Sequence, residues 1–89
     1  MPKYVIESEM PGAGKLSKEE LRAASQHSVS ILSELGPQIQ WVRSFLTDDK
    51  IYSIYIASSE EMILEFARQA GLSANRVLEV RVVMDPTTY

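Results

Sequence analysis

Cysteine is absent from this 89-residue chain, which removes disulfide staples and thiolate metal sites together and leaves packing alone to hold the fold. Histidine occurs once, at His27, so any imidazole acid–base step or imidazole-bound metal depends on that residue. No run approaches the roughly 20 apolar residues that span a bilayer, and the opening MPKYVIESEM lacks the apolar core of a signal peptide. A cytoplasmic protein with no membrane partner is the expectation. Basic clusters are missing too: nine Lys and Arg stand against twelve Asp and Glu, for a net charge of -3, with no basic stripe among the aromatics. Nucleic acid is therefore not an expected partner.

What is present is concentrated between Trp41 and Ala57, where two β-rich runs flank a polar turn and carry Trp41, Phe45, Tyr52 and Tyr55. The length suits one small domain over residues 1–89. A chain this short buries a smaller share of its surface than a larger one. A second copy covering an exposed sheet face is the economical way to complete the core, which makes a homodimer the expectation.

Tyr4, Val5 and Ile6 open a strand that Pro11-Gly12-Ala13-Gly14 ends. Ser17 precedes Lys18 and has Glu20 three residues on, the capping-box spacing, so a helix is predicted to start there and run to about Leu35. Its apolar stripe is Leu21, Ala24, Ser28, Ile31, Leu32 and Leu35, and Gly36-Pro37 stops it. Ile39 to Thr47 and Ile51 to Ala57 read as an antiparallel hairpin. Ser58 or Ser59 caps a second helix that faces inward through Met62, Ile63, Phe66, Ala67 and Ala70 and ends at Gly71. A last strand is predicted from about Val77 to Met84, terminated by Asp85-Pro86.

The order βαββαβ predicts an α+β, ferredoxin-like fold: a four-stranded antiparallel sheet with two helices on one face, closing as a dimeric α+β barrel. Right-handed crossovers are expected to place the first and last strands in the middle and the aromatic hairpin at the edge.

The run Ile39-Gln40-Trp41-Val42, the turn Thr47-Asp48-Asp49-Lys50-Ile51-Tyr52 and the tail from Ala74-Asn75-Arg76-Val77 to Asp85-Pro86-Thr87 resemble those of a family of roughly 90-residue bacterial proteins. Pro2-Lys3-Tyr4-Val5-Ile6-Glu7 and the Pro-Gly-Ala-Gly-Lys-Leu-Ser segment fit as well, so the likeness covers nearly the whole chain. That family carries a domain of unassigned function and includes small nickel-binding members that form ferredoxin-like dimers. The resemblance implies a histidine where this chain has Arg43, a cysteine where it has Ser53 and a histidine where it has Phe66. A guanidinium and a phenyl ring offer no lone pair to nickel, and a hydroxyl is a far poorer ligand than a thiolate. The implied metal site is therefore expected to be lost, and nickel remains a cofactor by resemblance only.

Arg43 and Ser53 share parity, and a three-residue turn, Asp48 to Lys50, is expected to put both on one face with Trp41, Phe45 and Tyr55, whereas a two-residue turn would separate them. Arginine there would bind a carboxylate, phosphate or enolate through paired hydrogen bonds while the rings hold an apolar body. The plainer alternative is a dimer interface in which Arg43 pairs with a carboxylate such as Glu79. His27 falls at the edge of the first helix's stripe and reads as a surface histidine, with Glu7 and Glu9 the carboxylates available to supplement it in a metal site. Gly12-Ala13-Gly14-Lys15-Leu16-Ser17 fails the spacing of a phosphate loop and reads as a loop into a capped helix that borders a pocket mouth. Tyr4, Tyr52, Tyr55 and Ser53 are proton donors without a base beside them.

The reading favoured is a homodimeric protein that binds an apolar or aromatic small molecule between the open sheet face and a helix. Trp41, Arg43, Ser53, Tyr55 and Phe66 are its candidate ligand-binding residues. The alternatives are nickel or another divalent metal, and a cofactor-independent isomerase, cyclase or small oxygenase, a type for which fold analogy is the sole warrant.

Overall fold

The computed structural model describes residues 1–88. Its strands are β1 (Lys3–Glu9), β2 (Ile39–Leu46), β3 (Lys50–Ala57) and β4 (Arg76–Glu79), and its helices are α1 (Lys18–Leu35) and α2 (Glu60–Ala70). All strand pairs are antiparallel, in the order β2-β3-β1-β4. This is the ferredoxin-like arrangement.

The central strands are the first and third, not the first and last as the sequence suggested. The hairpin keeps β2 beside β3, so each helical connection has to cross one intervening strand: α1 carries the chain over β3, and α2 carries it over β1. Strand β4 consequently lies at the edge, next to β1.

That edge position also shortens it. The predicted strand to Met84 stops at Glu79, paired with Tyr4, and Val80 gives one further bond to the Lys3 carbonyl. Pro2 follows on the neighbouring strand, and it has no N–H to donate while its carbonyl already accepts from Ala57. Val82, Val83 and Met84 thus have β-forming side chains and no ladder, and they stand exposed.

Local signals set the helix ends as expected. Ser17 Oγ accepts from Glu20 N–H while the Glu20 carboxylate accepts from Ser17 N–H, a complete capping box that also holds the Glu20 carboxyl below its usual pKa. Ser59, not Ser58, caps α2. The core lies between the helices and one sheet face: Tyr4, Ile6, Ile39, Tyr55 and Ala57 from the strands meet Ile31, Ile63 and Phe66. Phe66 and Tyr55 pack ring to ring at 5.3 Å, tilted by 53°.

Candidate functional site

A break in β2 decides which side chains meet. Trp41 pairs with Tyr55 and Arg43 with Ile54, consecutive residues of β3, so Val42 is an extra residue without a partner. From that bulge onward the alternation is shifted by one. Ser44 turns to the helix-covered face opposite Ser53, and Arg43 turns to the open face opposite Ile54.

The turn register and the bulge together divide the sequence-predicted site. Trp41, Ser53, Tyr55 and Phe66 all lie on the helix-covered side, with Ser53, Tyr55 and Phe66 buried. Arg43 and Phe45 do not join them. They lie on the open face, Phe45 at 54% exposure and Arg43 exposed as well. Leu46 pairs with Ile51 and Thr47 N–H donates to the Lys50 carbonyl, so Asp48 and Asp49 form a two-residue turn in place of the three-residue turn expected, and that register puts Arg43 and Ser53 on opposite faces; the bulge then returns Trp41 to the face of Tyr55. Glu79, suggested as a partner for Arg43, has its carboxylate 3.5 Å from Arg81. His27 is exposed on α1.

Between the first half of α1 and the β2–β3 surface is a cavity of about 90 Å³. The predicted stripe of α1 explains it. Ile31 is buried and Leu32 and Leu35 pack on the core, but the stripe's early members Leu21, Ala24 and Ser28 stand off from the sheet and roof the space. Trp41, Ser44, Leu46, Ile51 and Tyr55 form the floor. Met10, Leu16 and Leu72 close the end.

The end wall is built from loops pinned to the sheet. Met10 N–H donates to the Asp49 carbonyl at 2.9 Å and Gly14 N–H to the Asp48 carbonyl at 3.2 Å, which ties the segment before α1 to the hairpin turn. A Cβ on Gly14 would lie 3.1 Å from the Thr47 carbonyl oxygen and from Asp48 Cα, so the close approach needs glycine. This is the segment that looks briefly like a phosphate loop, and its role is to bring Leu16 and Met10 over the cavity. Leu72 is held from the other side, because Ser73 Oγ and Asn75 Oδ1 both accept from Glu9 N–H.

Polar groups reach the cavity from Ser25 and Ser28 on the roof and from a linked group on the floor. Trp41 Nε1–H donates to Ser44 Oγ at 2.9 Å, and Ser44 Oγ lies 2.7 Å from Ser53 Oγ in a second hydrogen bond. Burial pushes the Tyr55 phenol up to about 12, with the Ser53 hydroxyl drawing it partly back, so Tyr55 stays a protonated donor at any ordinary pH. No side chain lining the cavity is charged. The sequence reading missed Ser44, which the turn register sets opposite Ser53 and the bulge brings to the face of Trp41; the unbroken β-rich run from Ile39 gave no glycine or proline to mark the bulge.

The metal implied by resemblance does not fit these residues. Positions 43, 53 and 66 no longer face one another, since Arg43 is across the sheet from Ser53 and Phe66. Among the described residues no three His, Asp or Glu side chains converge as a metal site. Neither His27 nor Glu7 and Glu9 supply a replacement.

Two comparisons with known proteins bear on the chain. The crystal structure of SCO4226 from Streptomyces coelicolor A3(2) superposes with a TM-score of 0.75 over 92% of this chain and 99% of that one, at 16% identity, a likeness of fold. No curated protein matches. The model of the family described as nickel responsive protein SCO4226-like matches residues 4–80, which takes in every strand and helix from β1 to β4. On that match the chain belongs to the nickel-responsive SCO4226-like family.

Proposed function

We propose that this protein is a small homodimeric ligand-binding member of its family, and that it takes up a compact apolar molecule in the cavity under α1. The observation that carries the reading is the cavity itself: an uncharged space of about 90 Å³, walled by Leu16, Leu21, Leu46, Ile51 and Leu72, with a few hydroxyls and the Trp41 indole as its polar groups. Such a lining favours an organic body over an ion. The site differs from the sequence expectation in its place, since it lies on the helix-covered face and uses Trp41, Tyr55 and Ser44 in place of Arg43. Ser53 and Phe66 support it from behind.

Self-association is supported by the other face of the sheet. Phe45 and Leu78 are more than half exposed there, at 54% and 51%, beside Val5, Tyr52, Ile54 and Ile56. A second copy placing the same apolar face against this one would bury it. Nickel response, the property in the family's name, is not assigned to positions 43, 53 and 66 of this chain, because their side chains are divided between the two faces and two of them carry no lone pair.

The chain has one tryptophan, so its indole N–H resonance is a unique reporter on the cavity floor. Cyclopentane, titrated against the protein while that resonance is followed by NMR, should move it saturably, and Ser28→Leu, which grows a side chain into the cavity from the roof, should abolish the shift. A saturable shift that survives Ser28→Leu would mean that the molecule binds elsewhere. Sedimentation velocity at micromolar concentration should give a dimer, and a monomer there would remove the homodimer from the proposal.

A further inference from the structure

The hydroxyls at the floor of the cavity form a chain whose protons can be counted. Trp41 Nε1–H can only donate, and it gives its proton to Ser44 Oγ. Ser44 and Ser53 share one hydrogen bond in which either oxygen can be the donor. Tyr55 stands two residues beyond Ser53 on the same face. Three O–H groups are thus joined by at most two O···O links. One proton is always left over.

Where it lies depends on the direction of the chain. If donation runs from Ser44 through Ser53 to Tyr55, the spare proton is on Tyr55; if it runs the other way, it is on Ser44. Both residues line the cavity. The Trp41 N–H fixes the excess, since an acceptor at the Ser44 end would have let the protons balance. Among the described residues no other protein group accepts from these hydroxyls. A ligand that fills the space displaces the water these hydroxyls would otherwise donate to, so one that supplies an acceptor keeps a hydrogen bond that a hydrocarbon loses.

We infer that the cavity selects a small neutral molecule with one hydrogen-bond acceptor on an otherwise apolar body, such as a ketone, aldehyde or ether, in preference to the corresponding hydrocarbon. Neutrality follows from the uncharged walls, which offer neither a cation to an acid nor a carboxylate to an amine. Size follows from the volume: about 90 Å³ is less than the ~150 Å³ apolar cavity known to hold benzene, so the body is about a five-membered ring or smaller. The inference rests on the cavity being a binding site at all, as proposed above, and adds the chemical class of what it binds.

Cyclopentanone and methylenecyclopentane test it, because they have nearly the same shape and differ in a carbonyl oxygen against a CH₂ group. Both are titrated against wild type and against the double variant Ser44→Ala/Tyr55→Phe, which lacks the two hydroxyl-bearing side chains of the cavity floor. The wild-type ratio of ketone to hydrocarbon affinity should fall about 5-fold in the variant, the worth of one neutral hydrogen bond; taking the ratio cancels the different cost of removing each probe from water. A measurement on wild type alone guards against misfolding of the variant. The carbonyl ¹³C resonance of bound cyclopentanone should match its position in alcohol, where the oxygen accepts a hydrogen bond. A resonance at the hydrocarbon-solvent position, or an unchanged ratio in a folded variant, would overturn the acceptor selectivity and leave the binding site standing. If neither probe shifts the Trp41 indole resonance, the site and the selectivity both fail.

Discussion

Deleting Val42 should leave the protein folded, although removal of a residue from the middle of a strand ordinarily moves every later side chain to the opposite face. Val42 has no partner on β3, and Trp41 and Arg43 already face consecutive residues of that strand. Its removal converts β2 into a regular strand with the existing pairs Trp41–Tyr55, Arg43–Ile54 and Ser44–Ser53 intact. The loss is the side chain itself. Val42 is 43% exposed, so of the roughly 1.5–3 kcal/mol that complete burial of a valine contributes, about 1 to 1.5 kcal/mol is forfeited. Deleting Ser44 instead has no such escape. Either the bulge is absorbed and the Arg43 guanidinium is driven to the helix-covered face, at several kcal/mol, or Phe45 swings inward and the turn is shortened. In both cases Trp41 Nε1–H and Ser53 lose their partner, at about 1–3 kcal/mol for each buried group. A domain of this length has a stability on the order of 4–13 kcal/mol. Urea unfolding should therefore show a cooperative transition for the Val42 deletion, displaced by about 1 kcal/mol, and little or no folded protein for the Ser44 deletion. If the two deletions are equally damaging, the bulge does not act as a spare residue and the placement of Arg43 and Ser44 on opposite faces is wrong.

Two further outcomes test other parts of the structure. Ser17→Ala removes the capping box of α1 and should cost about 1 kcal/mol, read as a Tm lower by roughly 4–8 °C; an unchanged Tm would show that the cap carries no stability. The Tyr55 phenol, at about 12 in the folded protein and about 10 when unfolded, favours folding fully below pH 10. Above that the unfolded chain loses its proton first, so stability declines by roughly 3 kcal/mol as pH rises from 10 to 12. Tyr4, also raised by burial and by Glu79, Glu60 and Glu61, acts in the same direction. Tyr55→Phe should flatten the decline measured by urea titration across that window, and an equally steep decline in the variant would remove Tyr55 as its cause.

The order of elements was legible in the sequence because its signals are local. Ser17 with Glu20, Gly36-Pro37 and Gly71 act within a turn or two of backbone, and the apolar spacing of α2 named its buried residues Ile63, Phe66 and Ala67 directly. The ferredoxin-like fold followed from that order. Strand length was less legible, since Arg81 to Met84 has the composition of a strand but can become one only beside another. Pro2 withholds that partner. Two of the site residues, Trp41 and Tyr55, were recognisable as aromatic strand residues that the cavity uses.

Only the tertiary structure decided which face Arg43 occupies, and with it the character of the site. The turn register sets Arg43 opposite Ile54 and the bulge at Val42 sets Trp41 opposite Tyr55, and both are relations between β2 and β3 that neither strand's own sequence records. The cavity is likewise a property of two elements far apart in the chain: the stripe of α1 specifies an inward face, but the distance at which Leu21, Ala24 and Ser28 stand from the sheet is set by how Ile31, Leu32 and Leu35 seat against the core. The sequence by itself determined the elements and their order. Packing between distant segments determined which side chains line the cavity.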